Sequence, residues 1–198
     1  VAVTNSGDIH AASLYSYATG INASASSIYL GKYYGSLAFD GTTTVSNSGD
    51  ITLYAPQSSS GRAIGIKATR GVGDVVVGNS GDIDIYAGGR SYGIYAHTTY
   101  GGVSVTNSGD ITVESTALLQ YAASGIVAFA GNGDAMADNS GDINAFSGYW
   151  ATGIDVRGFG DATVENSGTV YANGGKYAFG VYATAGTGDV SVTNTDDG

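Results

Sequence analysis

Apolar and polar residues alternate along this chain in short runs, and the runs come in threes. One run ends at an Asn, as at Val75/Val77, Val103/Val105 and Val190/Val192. A second opens on an Asp-Ile pair, as at Ile51/Leu53, Ile83/Ile85 and Ile111/Val113. A third opens on a small-Gly-Ile step, as at Ile94/Ala96, Ile126/Ala128 and Ile154/Val156. A period of two marks a strand with one buried face. No stretch carries the 3.6-residue period of a helix, and Gly-rich turns separate the runs.

The triplet of runs repeats. Asn-Ser-Gly begins at Asn5, Asn47, Asn79, Asn107, Asn139 and Asn166, with a degenerate copy at Asn194, and the spacings are 42, 32, 28, 32, 27 and 28 residues. From the residue after the Gly of the Gly-Ile step to the next Asn, the last five repeats count 13, 13, 13, 12 and 13 residues, and the first counts 26. Such self-similarity marks units that bury their apolar faces only by stacking on one another. Three strands and three corners per repeat predict an all-β, single-chain parallel β-helix (a β-solenoid) of six to seven coils. Its winding is expected to be right-handed by the crossover rule. Residues 1–198 form one domain, with an insertion at about 24–41. Coils about 4.8 Å apart make a rod about 30 Å long.

Stacking turns equivalent positions into columns. Ile9, Ile51, Ile83, Ile111, Ile143 and Val170 form one. Ile21, Ile66, Ile94, Ile126, Ile154 and Val181 form a second, and Val3, Val45, Val77, Val105, Ala137, Val164 and Val192 a third. These are the expected dry interior. The Asn column (Asn5, Asn47, Asn79, Asn107, Asn139, Asn166, Asn194) is expected at a corner as a structural ladder, its amides hydrogen-bonded along the axis. The Gly two residues later is expected to supply a positive φ.

Composition narrows the possible functions. Hydrophobic residues make up 42% and charged residues 12%, too apolar and too regular for disorder. The net charge of −10 and the lack of a basic stripe exclude nucleic acid as a partner. No apolar run reaches the length of a spanning helix, so this segment does not insert directly into a membrane. Without Cys there is neither a disulfide scaffold nor a thiol nucleophile. The chain starts and stops inside its repeat, which reads as a segment of something longer.

The pattern Val-x-Asn-Ser-Gly-Asp-Ile, with Tyr92-Gly93-Ile94-Tyr95-Ala96 and Phe179-Gly180-Val181-Tyr182-Ala183, resembles the β-helical passenger-domain repeats of Gram-negative autotransporters and related surface adhesins. The resemblance spans essentially the whole chain. It implies export to the bacterial outer cell surface or the extracellular space, with the translocating barrel encoded elsewhere. It implies no particular activity, because one fold carries many functions.

Candidate chemistry is sparse. His10 and His97 fall on different faces without a second base, so no catalytic residue is assigned. The carboxylate column Asp8, Asp50, Asp82, Asp110 and Asp142 recurs with the fold, as a turn residue does, whereas a glycosidase sets one coil apart from the rest. Gly-x-Gly-Asp occurs at 71–74, 131–134, 158–161 and 186–189. It resembles calcium-binding nonapeptide repeats but recurs every 27 residues or more, which leaves weak Ca²⁺ binding as the most it supports. No metal ligands or cofactor are assigned.

The distinctive feature is aromatic. Tyr17, Trp150 and Tyr177 each lie three residues before the Gly of the Gly-Ile step, where other repeats carry Arg62 and Arg90. Two roles fit this corner: stacking against sugars or protein partners, or padding an exposed strand edge. The first insertion adds Tyr29, Tyr33, Tyr34 and Phe39, and insertions in solenoids commonly hold binding surfaces.

The expected function is therefore a non-enzymatic extracellular structural or adhesive β-solenoid. Its expected partners are host or neighbouring-cell surface glycans or proteins, or itself through lateral or end-to-end contacts. The alternative is a filament subunit that polymerises end to end; a polysaccharide-active enzyme comes third.

Overall fold

The computed structural model describes residues 1–13, 17–25, 28–29, 36–37, 41–56, 62–116 and 121–195. Three parallel sheets wrap one interior. The first has seven strands, from Ala2–Asn5 to Val190–Asn194. The second and third have six each, from Ile9–Ala12 to Val170–Gly174 and from Ala18–Ala25 to Tyr177–Ala185. Successive strands of a sheet come from successive repeats, so the chain makes six sets of three strands and begins a seventh. Coils 1 to 6 are numbered here by those sets. This is the β-solenoid that the period-two triplets predict.

Register is set by burial. The three apolar columns pair in line, for example Ile51↔Ile83↔Ile111↔Ile143, Ile66↔Ile94↔Ile126↔Ile154 and Val45↔Val77↔Val105. Their central members are all but inaccessible to solvent. A slip by one residue would turn a whole strand inside out, and burying each Ile or Val is worth roughly 1.5–3 kcal/mol.

The Asn column runs inside the first corner. Each buried amide donates from Nδ2 to Oδ1 of the Asn in the next coil, at 2.7 Å for Asn47 to Asn79 and for Asn79 to Asn107. Its other proton goes to the carbonyl of the Gly two residues on, for example Asn107 to Gly109 at 2.7 Å. The expected amide ladder is present, and each member also satisfies a corner carbonyl.

The glycine of that corner does a different job from the one expected. Among the described residues, the positive-φ glycines are Gly41, Gly73 and Gly101, all at the other corner, where the third strand hands over to the next coil. In Asn-Ser-Gly the absence of a side chain is what counts. A Cβ on Gly109 would sit 2.2 Å from the carbonyl oxygen of Gly81, and one on Gly141 equally close to that of Gly109. The corners stack too closely for any other residue.

The Gly-Ile step and the Asp-Ile pair are two halves of one contact. A Cβ on Gly125 would lie 2.4 Å from Cγ2 of Ile143, and one on Gly93 2.5 Å from Cγ2 of Ile111. Each Gly thus opens the space that the Ile of the following coil occupies. The step also interrupts alternation: Ser91 and Ile94 both face inward with one outward residue, Tyr92, and Gly93 between them.

The Asp column has a structural role. The Oδ1 of Asp50, Asp82 and Asp110 accepts the backbone N–H of Asp82, Asp110 and Asp142 in the next coil, at 2.8–2.9 Å. Asp142 does the same for Thr169 at 2.8 Å. The Asp of Gly-x-Gly-Asp repeats the device at the other corner: Asp134 accepts from Asp161 N–H, and Asp161 from Asp189 N–H, both at 2.8 Å. These carboxylates satisfy corner amides that no strand ladder reaches.

The first-repeat insertion contributes a short antiparallel pair, Ile28–Tyr29 with Ser36–Leu37. Most of the remaining insertion lies outside the described residues.

Candidate functional site

The outward side of the third sheet carries four columns of side chains. Across coils 2 to 6 the first column reads Arg62, Arg90, Ala122, Trp150, Tyr177. The second reads Ile64, Tyr92, Ser124, Thr152, Phe179. The third reads Lys67, Tyr95, Val127, Asp155, Tyr182, and the fourth Thr69, His97, Phe129, Arg157, Thr184. Coils 3, 5 and 6 are tall here. Coil 4 places Ala122, Ser124 and Val127 in three of its four positions, so its short side chains leave the surface recessed between its neighbours.

The result is an open trough of about 390 Å³. One wall is Tyr92 and Tyr95, whose rings meet at 5.4 Å between centroids. The opposite wall is Trp150. Its indole Nε1 donates to Thr152 Oγ1 at 3.0 Å, which tilts the ring from the first column over the second. Phe179 and Tyr177 back the indole at 5.5 and 5.0 Å between ring centroids. His97 stacks on Phe129 at 5.1 Å with ring planes 2° apart, closing the far end.

The charged end is locked. Arg157 donates from Nε to Asp155 Oδ1 and from its second nitrogen to Oδ2, both at 2.7 Å. Its guanidinium also lies 5.1 Å from the centre of the Tyr182 ring. Such a fork is a strong and directional pair. The hydrogen bond to Asp155 outweighs the burial of the guanidinium and raises the Arg157 pKa. Burial lowers the pKa of His97, so its imidazole is neutral at pH 7, and burial raises that of the Tyr95 phenol.

Trp150 and Tyr177 are adjacent in register and in contact. Tyr17 is elsewhere: Ala18 pairs with Ala63, which sets Tyr17 beside Arg62, four coils from Trp150, and it is exposed. Tyr29 lies in the short antiparallel pair of the insertion. Tyr33, Tyr34 and Phe39 fall outside the described residues. The seven Asn residues form the internal ladder and none opens into the trough.

Sequence reasoning missed Tyr92, Tyr95, His97 and Phe129, and the short floor of coil 4. Strict alternation assigns the wrong face on one side of each Gly-Ile step. Treating that Gly as an extra residue in the strand would have put all of them on one face. A smaller aromatic run, Tyr54 stacked on Tyr86 at 5.4 Å, lies outward on the second sheet.

The trough holds one carboxylate, Asp155, already paired with Arg157. The two carboxylates flanking a glycosidic bond that most glycoside hydrolases use are not among its lining residues. No group of three or more His, Asp or Glu residues placed to hold a metal ion occurs among the described residues. Comparison with known proteins finds no family model, no curated protein and no solved structure that matches this chain.

Proposed function

We propose that this protein is a non-enzymatic, surface-displayed β-solenoid whose third sheet is its recognition face. The observation that carries this reading is the trough of coils 3 to 5, where aromatic walls stand around a recessed floor of small residues that includes the Ser124 hydroxyl. Large flat side chains held by their neighbours supply contact area at little entropic cost, which is what recognition surfaces use. The stacked core makes a rigid rod on which such a face is held in place. The resemblance of the repeat to autotransporter passengers supports display at the bacterial outer cell surface or release outside the cell.

The test compares faces. Wild-type protein, Trp150→Ala/Tyr177→Ala and Tyr54→Ala/Tyr86→Ala are immobilised and assayed for binding to a glycan array and to whole cells. Loss of binding only in the Trp150/Tyr177 variant supports the reading. Equal binding by all three refutes it.

A second reading, end-to-end association, is favoured by a separate observation. Val190 and Val192 are half exposed on the last strand of the first sheet, in line with valines that are fully buried in inner coils. A further coil, from a continuation of this chain or from another copy, would cover them. Sedimentation velocity across a hundredfold concentration range tests it, and a constant monomeric species refutes it.

A further inference from the structure

Three observations on the trough point to one kind of occupant. In the second column the ring of Tyr92 is followed by Ser124, then by the Trp150 indole leaning over Thr152, then by Phe179. Adjacent coils lie about 4.8 Å apart, so Tyr92 and the indole are separated by about 10 Å, two coil steps. Rings in neighbouring coils of this sheet pack at 5.0–5.5 Å between centroids. The place above Ser124 is thus one ring missing from an otherwise continuous stack.

The floor of that place carries a hydroxyl that is incompletely bonded. Ser124 is only 5% exposed, yet its hydroxyl makes no hydrogen bond among the described residues. A buried hydroxyl without a partner destabilises the fold, and one that opens into a groove is poised to bond whatever enters. Beside it, Thr152 Oγ1 accepts from the indole and keeps its own proton to donate. Asp155 is fixed by Arg157 at the same edge and retains unused lone pairs.

We infer that the place above Ser124 binds one neutral pyranose unit of a glycan, sandwiched between Tyr92 and Trp150. This inference rests on the third sheet being the recognition face and names what that face takes. A pyranose has apolar C–H faces and a rim of hydroxyls. The faces match the two aromatic walls, and the rim matches the hydroxyls of Ser124 and Thr152 and the carboxylate of Asp155. A wholly apolar ring would leave Ser124 unbonded. The charges of the lining cancel, Asp155 against Arg157, so the place offers an acidic sugar no net positive charge, and the protein's net charge of −10 disfavours it.

Trp150 is the single tryptophan of the chain, so its fluorescence reports on this place alone. The experiment titrates the protein with cello-, malto-, chito-, manno- and galacto-oligosaccharides, with sialyllactose as the acidic probe. At least one neutral oligosaccharide is expected to shift Trp150 emission saturably, with sialyllactose at least tenfold weaker. Ser124→Leu fills the place and is expected to weaken that binding at least tenfold. Ser124→Ala keeps the shape, removes one hydroxyl and is expected to weaken it severalfold. Melting curves followed by circular dichroism establish that both variants fold.

No saturable shift with any neutral sugar, or an unchanged affinity in folded Ser124→Leu, overturns the inference. The outcome also separates the two levels of the argument. If Ser124→Leu still binds cells or the array while Trp150→Ala/Tyr177→Ala does not, the recognition face stands and the pyranose place fails. If neither variant affects that binding, the face itself fails.

Discussion

Replacing Asn107 with Ala tests whether the amide ladder holds the coils together. Asn107 is 1% exposed and makes three hydrogen bonds. It donates to Gly109 O at 2.7 Å and to Asn139 Oδ1 at 2.8 Å, and accepts from Asn79 Nδ2 at 2.7 Å. Alanine leaves two acceptors and one donor unpaired where water does not reach. Each such group costs about 1–3 kcal/mol, and partial relaxation brings the expected total to about 3–5 kcal/mol. Among the described residues Asn194 accepts one bond, from Asn166 at 2.6 Å, on an exposed strand, so Asn194→Ala should cost about 1 kcal/mol.

Asn107→Asp sharpens the test. A carboxylate still accepts from Asn79 but faces Asn139 Oδ1 and Gly109 O as acceptor against acceptor. At pH 7 it should destabilise more than Ala does. Its native-state pKa would be raised above the unfolded value, so the native state binds the proton more tightly and the deficit should shrink as pH falls through that raised pKa. The assay is urea unfolding followed by Trp150 fluorescence and far-UV circular dichroism, whose coincidence checks two-state behaviour. A cost below about 1 kcal/mol for Asn107→Ala, or one equal to that of Asn194→Ala, would refute the reasoning.

Three other outcomes follow from the same geometry. Gly109→Ala forces a Cβ to 2.2 Å from Gly81 O and should cost about 1–3 kcal/mol or more, whereas Gly78, with nothing within 4 Å of such a Cβ, should accept Ala at no cost; chemical denaturation of the two variants decides. Burial lowers the His97 pKa, so below about pH 6.5 the unfolded chain takes up a proton that the native state resists, and stability falls with pH until the native value is passed. Thermal melts between pH 7.5 and pH 5 should show that loss, reduced in His97→Gln. Asp84 has its pKa raised by burial and by the charges of Asp82, Asp50 and Asp110. Asp84→Asn should therefore stabilise at pH 7, by no more than about 0.5 kcal/mol for so exposed a site, and the gain should vanish as pH drops and Asp84 protonates; equal melting temperatures at pH 7 would count against it.

Much of the architecture is legible in the chain because a solenoid repeats local decisions. The spacing between Asn-Ser-Gly copies, the alternation within each run and the Ile and Val positions give three strands per coil and the interior columns. Each is a statement about one repeat, and stacking multiplies it. The Asn ladder is predictable in the same way, since equivalent amides one coil apart have no other neighbour to bond.

The site was less legible for a physical reason. Whether an outward side chain stands free or walls a groove depends on the residues one coil above and below, 28 or 32 positions away in sequence around the trough. Trp150 looks like an exposed corner residue until Thr152 is seen to tilt it, and Ser124 is unremarkable until Tyr92 and Trp150 flank it.

The fold class, the number of coils, the register of the core and the amide ladder follow from the order of residues alone, because burial and period-two alternation admit one stacking. What the glycines are for, what the aspartates cap and where a ligand would fit emerge only once the coils are stacked. Those questions turn on contacts between coils, where a 2.2 Å approach or one missing ring separates a spacer from a site.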